Sequence, residues 1–471
     1  MLAILSQLLQ VSITPSSPRT RASGSSVTSN LPPELILEII KPFTSIERFI
    51  YKRLEYTQHG TRRRTDAELL WARTTLQAAC RVSRSWNKVV TPLLYKHATL
   101  ATPEQVRLFF RTLRKRQCSI ELVEEIILVD HRRLWRKGLF QYTDTCNRRI
   151  LVQMRKDVRS ILSICRGIQG FTFNYNRLSA FVSVRDAIVN NCPINPNLRY
   201  MVIDHSNIDS YDKSPLVPHL CHLESICYHY FPCLDGQYLN KFPALRSFQF
   251  AHSHCKMDPV DLTKSLAELQ ALRTLALYDV TFGPNSWYLD LTTALSYPQD
   301  LQCIHVVGEH GMRIMESWIR AGHLKGIQTL VLGPVDPGHD FLLTWDFPEH
   351  LTSLTILIPC AAAVGPHSAT TCSSAAVISR WFKWNCRSGS AHDNLKHIEI
   401  VLVDDPGYHV PVDTATIMDQ GLRPIINEIR KHCSILNVFL ELRPTTVGID
   451  NWIGDTLNRW MDCTIRFESS P

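Results

Sequence analysis

The chain lacks the features that would place it in several common classes. No uninterrupted apolar run reaches the roughly 18–20 residues a membrane-spanning helix needs. The longest candidate, around Leu354–Val364, is shorter and contains Pro359. No Cys-x-x-Cys occurs among the 15 cysteines, which are odd in number and scattered singly, so buried free thiols are expected rather than a disulfide framework. No Asn-x-Ser/Thr sequon appears. Both observations fit a reducing compartment, cytoplasmic or nuclear. There is no Gly-x-Ser-x-Gly elbow, Walker loop, Gly-x-Gly-x-x-Gly or His-Glu-x-x-His. The expectation is a chain that is not an enzyme, has no cofactor and no membrane partner.

No acidic residue precedes Glu34, and residues 1–30 pass from an apolar start into Ser, Thr, Pro and Arg. A disordered tail is expected there, with only a slight compositional likeness to a transit peptide. The net charge is +8, and the segment Ala101–Gly170 accounts for it, with 15 Lys/Arg against 7 Asp/Glu. Arg132, Arg133, Arg136 and Lys137 surround Trp135 in this segment, followed by Arg148, Arg149, Arg155 and Lys156. Cations beside an aromatic are the minimum for tracking phosphates, but no nucleic-acid-binding motif accompanies them. A solvated face, or a site for acidic partners, is the expected reading.

The stretch Leu31–Leu100 opens with Leu-Pro-Pro-Glu-Leu, a helix start with prolines in the first turn and Glu34 near the positive end of the dipole. Leu31, Leu35, Ile39 and Phe43 recur every four residues beside Ile36 and Ile40, giving a wide apolar stripe. A second helical run leads through Cys-Arg-Val-Ser-Arg-Ser-Trp at 80–86 to Val89, Val90, Leu93 and Leu94. These pieces, with Pro-Leu-Leu-Tyr at 92–95, resemble an F-box of the variant common in fungal F-box proteins. The resemblance implies a three-helix module that docks a Skp-type adaptor of SCF ubiquitin ligases through Leu31, Pro32, Leu35, Ile39, Val82 and Trp86. Leu31 and Trp86 are 55 residues apart, longer than usual for the family, so an insertion is expected near 52–64.

Beyond it, Thr102-Pro103-Glu104 starts a helix with Val106, Phe109, Phe110 and Leu113 on one face. A repeating frame, L-x-x-L-x-L, then follows. It fits Leu198/Met201/Ile203, Leu223/Ile226/Tyr228, Leu245/Phe248/Phe250, Leu272/Leu275/Leu277, Leu301/Ile304/Val306, Ile327/Leu330/Leu332 and Leu351/Leu354/Ile356, spaced 25, 22, 27, 29, 26 and 24 residues apart. It also fits Val123/Ile126/Leu128, Ile168/Phe171/Phe173, Leu395/Ile398/Ile400 and Ile435/Val438/Leu440. Helical spacing lies between the strands at Asn147–Cys165, Val182–Cys192, Val260–Leu269, Gly311–Ala321, Ser374–Cys386, Thr414–His432 and Asn451–Met461. A period of roughly 20–29 residues is that of leucine-rich repeats. The array resembles the degenerate leucine-rich repeats of fungal F-box proteins, since most repeats lack the Asn or Cys that regular ones place after the strand.

The expected fold class is therefore α/β: a small N-terminal three-helix F-box-like module followed by a leucine-rich-repeat-like α/β solenoid. The expected division is a tail (1–30), the module (31–100), a linking helix (101–117) and the solenoid (118–471). Alternate strand residues should face outward and recognise a protein substrate, with Tyr200, Asp204, His229, Gln249, Tyr278 and His305 as candidates. Cys221, His222, Cys227, His229, Cys233, His252, His254 and Cys255 are the nearest approach to a metal site, but their spacing matches no zinc module and no metal is expected. Trp381, Trp384, Trp452 and Trp460 are read as core aromatics on helices. The resemblance implies a substrate-recognition adaptor of an SCF-type ligase. The alternative is an F-box scaffold or transcription-related factor outside a ligase, with segment 101–170 binding acidic partners.

Overall fold

A computed structural model of the chain describes residues 31–46, 74–100, 102–115, 120–129, 144–174, 197–204, 222–229, 239, 242–251, 254–255, 258–282, 295–335, 339–359, 368–387, 394–404, 427–431 and 439–448. The expected tail, the insertion near 52–64, the helices at Val182–Cys192 and Asn451–Met461, and the basic residues around Trp135 lie outside them.

Among the described residues twelve strands form one sheet, every pair parallel and in the same order as in the chain. They are β1 (His97–Leu100), β2 (Glu125–Val129), β3 (Gly170–Asn174), β4 (Tyr200–Asp204), β5 (Ser225–His229), β6 (Ser247–Ala251), β7 (Thr274–Tyr278), β8 (Cys303–Val307), β9 (Thr329–Gly333), β10 (Ser353–Pro359), β11 (His397–Asp404) and β12 (Phe439–Gly448). Parallel neighbours need a crossover between them, and one strand per repeat with chain-order neighbours is the topology of a solenoid. A separate two-residue pairing, His254–Cys255 with Thr281–Phe282, lies beside the main sheet.

The repeat frame sets the register. Ile126, Phe171, Met201, Ile226, Phe248, Leu275, Ile304, Leu330, Leu354 and Ile398 are successive Cα partners across β2 to β11. The last repeat is corrected: Ile398 pairs with Leu440, so the frame there is 437/440/442 rather than 435/438/440. Val438, Leu440 and Leu442 alternate, and a two-residue slip leaves every side chain on its own face, so the pattern alone could not fix the register. The start of the sheet is also corrected. β1 lies inside the stretch assigned to the helical module, and the helix expected to link the two parts is the first crossover of the sheet.

The described helices are α1 (Pro33–Ile46), α2 (74–79), α3 (Arg84–Lys96), α4 (Pro103–Lys115), α5 (Asp144–Ile164), α6 (Pro259–Ala267), α7 (Glu309–Arg320) and α8 (Ser368–Arg387). Their ends follow local chemistry. Ser83 Oγ accepts from Trp86 N at 3.3 Å, Thr102 Oγ1 from Gln105 N at 3.2 Å, and Asp258 Oδ1 from Asp261 N at 2.7 Å with Pro259 opening α6. Val106 and Leu113, Met154 and Ile161, Leu262 and Leu266, Met315 and Trp318, and Ile378 and Trp381 pack with the inward strand residues into one continuous core. Ile36, Ile40, Leu76, Ala79, Trp86 and Val90 of α1–α3 form a separate cluster. Each large apolar side chain so buried contributes about 1.5–3 kcal/mol relative to exposure.

Two glycines with positive φ test how tightly the repeats stack. Gly333 (φ 147°) ends β9, and a Cβ there would lie 2.5 Å from Leu357 Cβ and 2.8 Å from its carbonyl oxygen. Gly322 (φ 71°) follows α7 with nothing within 4 Å of its added Cβ. Gly322→Ala should cost only backbone strain, about 1 kcal/mol, whereas Gly333→Ala adds overpacking for a total of about 2–4 kcal/mol, read as the difference between urea unfolding midpoints.

Candidate interaction site

The face of the sheet turned away from the helices carries the residues expected to recognise a partner. Tyr200, Gln249, Tyr278 and His305 lie on it, but all four are buried, at 9%, 0%, 0% and 7% exposure. The expectation of an open surface is corrected at these positions. In-register parallel strands stand about 4.8 Å apart, so like positions stack into columns and shield one another. Tyr200, Val202, Cys227, Ala251, Ala276, Tyr278, Val307, Val331, Leu357, Val401 and Val403 form a second apolar cluster there. Asp204 and His229 are Cα partners on β4 and β5; their side chains lie outside what is described.

Polar groups are built into this face. His305 Nδ1 lies 2.6 Å from the Tyr278 hydroxyl, and its Nε2 lies 3.4 Å from Cys303 Sγ. Burial pushes His305 down to about 4, and burial, then Cys303 and Cys227, holds the Tyr278 phenol well above its usual value. The imidazole therefore resists taking a proton from the thiol, and the trio is a neutral hydrogen-bonded chain rather than an ion pair. The Gln249 amide is buried, and among the described residues neither its oxygen nor its nitrogen has a hydrogen-bond partner. Toward the ends of the sheet, Glu125 accepts from Thr172 Oγ1 at 3.1 Å and pairs with His97 Nδ1 at 3.0 Å, and Glu399 Oε2 accepts from Thr355 Oγ1 at 3.2 Å. Sequence reasoning missed both carboxylates, although each falls at an outward position of the frame.

A second feature runs along the rim where the strands begin. The residue before each strand donates its N–H, together with that of the first strand residue, to one carbonyl of the preceding repeat. Arg246 N and Ser247 N reach Glu224 O at 2.8 and 3.0 Å, and Arg273 N and Thr274 N reach Arg246 O at 2.8 and 2.9 Å. The same pairing recurs from Glu124 to Thr352. The rim residues are polar in every repeat: Glu124, Gln169, Arg199, Glu224, Arg246, Arg273, Gln302, Gln328, Thr352 and Lys396. That regularity was visible in the sequence between the first and second apolar positions of each frame.

At the helical end, Leu35 is 51% and Val82 is 40% exposed, Pro32 is exposed, and Leu31 and Ile39 are half-buried. Leu37, which sequence reasoning did not single out, is also exposed. Trp86 is placed differently, at 5% exposure among Ile36, Ile40, Leu76, Ala79 and Val90. Of the four tryptophans expected as core, Trp452 and Trp460 lie outside the described residues; Trp381 is core, its indole N–H donating to Trp345 O at 2.8 Å, whereas Trp384 is corrected, being exposed and donating to Asp346 Oδ1 at 3.0 Å. Of the possible metal ligands, Cys221, Cys233 and His252 lie outside the described residues. Among the described residues no group of three or more His, Cys, Asp or Glu could hold a metal ion, and no helix is long and apolar enough to cross a membrane.

No family model matches this chain, and no curated protein matches it. Among solved structures it is similar to an internalin from Listeria monocytogenes, at 10% identity and a TM-score of 0.29, over 72% of this chain and 93% of that one. That likeness is too loose to bear on function. The site's reading rests on its own geometry.

Burial of His305 gives a pH test. An unfolded histidine binds a proton near 6.5, whereas folded His305 does so only near 4, so the unfolded state takes up more protons as pH falls between these values. Stability present above pH 6.5 should therefore decline by roughly 2 kcal/mol on reaching pH 5. His310, also lowered chiefly by burial, adds in the same direction. Urea unfolding at pH 7 and pH 5 should show a smaller loss in His305→Asn than in the unaltered chain; equal losses would contradict the buried neutral imidazole.

Proposed function

We propose that this chain is a two-part protein-interaction adaptor, in which the helical module of α1–α3 docks a Skp-type adaptor and the solenoid positions a protein substrate for ubiquitin transfer by other subunits. The observation that carries the reading is the pairing of exposed apolar side chains, Leu35, Leu37 and Val82, on a module with its own core, with a long repeat sheet that follows it directly. Exposed leucine and valine beside an ordered cluster are a means of burying area against a partner. The F-box-like spelling of residues 31–40 and 80–95 supplies the partner's identity by resemblance.

The scaffold reading draws on a different observation. α4 presents Arg107, Arg111, Arg114 and Lys115 to solvent, as a surface for acidic partners would. On that reading the helical module serves outside a ligase.

Co-purification with a Skp-type adaptor discriminates between them. Leu35→Asp or Val82→Asp should weaken capture at least tenfold while leaving the unfolding midpoint nearly unchanged, because both side chains are largely outside the core. Trp86→Ala should instead cost about 3–5 kcal/mol by opening a cavity in the module, and lose binding through unfolding. Failure of the unaltered chain to bind, or indifference to Leu35→Asp, would sink the ligase reading.

A further inference from the structure

The rim of the sheet carries an electrostatic imbalance in its middle. Ser247 and Thr274 are Cα partners, so Arg246 and Arg273, each one residue earlier, stand side by side on adjacent strands. Arg199 and Glu224 flank them on the preceding two repeats. Glu224 is the one acidic residue among these four, and two arginines share it: Arg199 NH1 lies 3.1 Å from its Oε1 and Arg246 NH1 3.8 Å from its Oε2. Among the described residues no carboxylate lies within ion-pair distance of Arg273. The Arg246 side chain is 62% exposed, while that of Glu224 is 17% exposed and thus largely committed to its neighbours. Like charges on adjacent strands repel, so the fold keeps here three arginines against one glutamate.

Neighbouring groups extend the imbalance as hydrogen-bond donors. Gln302, Gln328 and Thr352 continue the rim, and just inside it Thr274, Thr329 and Ser353 are half-buried hydroxyls. No rim residue from Gln169 to Lys396 is aromatic, which removes the stacking platform that single-stranded nucleic acid uses. Guanidinium groups favour carboxylates through paired N–H donors, so the arginine row suits a ligand that carries several carboxylates.

We propose that Arg246 and Arg273, with Arg199 released from Glu224, form a recognition site for an acidic peptide segment of a partner protein lying across β4 to β8 at the strand-entry rim. The inference rests on the solenoid being a protein-binding part and is independent of whether the helical module docks an adaptor. Glu224 acts as an internal competitor that holds part of the positive charge until a ligand carboxylate replaces it.

The full chain titrated against a fluorescein-labelled octaglutamate, with octaglutamine and a dT octamer as controls, tests this by fluorescence polarisation. Binding of octaglutamate that weakens with added salt is expected, with octaglutamine and the dT octamer at least tenfold weaker. Arg246→Gln with Arg273→Gln should reduce octaglutamate affinity tenfold or more, whereas Arg380→Gln with Lys383→Gln, exposed on α8, should change it less than twofold. Glu224→Gln should raise affinity severalfold, a gain that misfolding cannot produce. Equal binding of octaglutamine or the dT octamer, full affinity in the Arg246/Arg273 double variant, an equal loss in the α8 variant, or no gain from Glu224→Gln would overturn the proposal. Adaptor capture by the same preparation reads the other function separately.

Discussion

The structure depends on one backbone arrangement repeated at each strand entry, in which a single carbonyl receives two N–H groups from the next repeat. From Glu124 O, which accepts from Gln169 N and Gly170 N at 2.8 and 3.1 Å, to Thr352 O, which accepts from Lys396 N and His397 N at 2.9 and 3.2 Å, the ladder recurs without a change of register. An unpaired buried N–H costs about 1–3 kcal/mol, so the ladder makes each repeat's entry point the only low-energy place for the following strand to begin. Everything between entries can then vary. β2 and β3 are separated by α5, whereas β8 and β9 are separated by α7, yet both pairs hold the same alignment.

Once entries are pinned, the alternation of side chains creates two different interiors. Toward the helices, Phe248, Leu275, Ile304 and Leu330 meet Leu266, Met315 and Trp318 in a core built from leucine-sized groups. On the other face, columns of stacked positions bury one another, and the polar groups that fall in them must find partners locally. Glu125 does so with Thr172 and His97, and His305 with Tyr278 and Cys303; Gln249, between Cys227 and Ala276, does not.

Strand existence was legible in the sequence because the frame L-x-x-L-x-L reports the inward period of a short strand and repeats too often for chance. The faces of those strands were legible too. Exposure was not: Gln249, Tyr278 and His305 occupy the outward positions expected of them but are buried, a property of the tertiary surroundings that no single segment reveals. β1 escaped notice because His97–Leu100 is only four residues long and contributes Ala98 and Leu100 to its inner face, too little apolar bulk to mark a frame. In the module, the stripe of α1 was correctly helical, but which edge of a stripe faces its own core and which faces solvent is set by α2 and α3. The F-box resemblance places Trp86 at the docking surface, whereas its large apolar ring is buried in the module's own cluster.

The join between the two parts has a mechanical consequence. α3 ends at Lys96 and β1 begins at His97, with no linker. Lys96 O accepts from Glu124 N at 3.0 Å, Lys96 Nζ pairs with Glu124 Oε2 at 3.0 Å, and His97 meets Glu125 on the adjacent strand. The helix that carries Trp86 and Val90 is thus continuous with the first rung of the entry ladder, and rotating the module would break backbone bonds of the sheet itself. A flexible tether would let a partner on the module sample a large volume relative to one on the solenoid; a rung shared by both parts does not. A partner docked at Leu35 and a peptide held at Arg246 and Arg273, as proposed above, would accordingly be kept at a separation set by whole repeats.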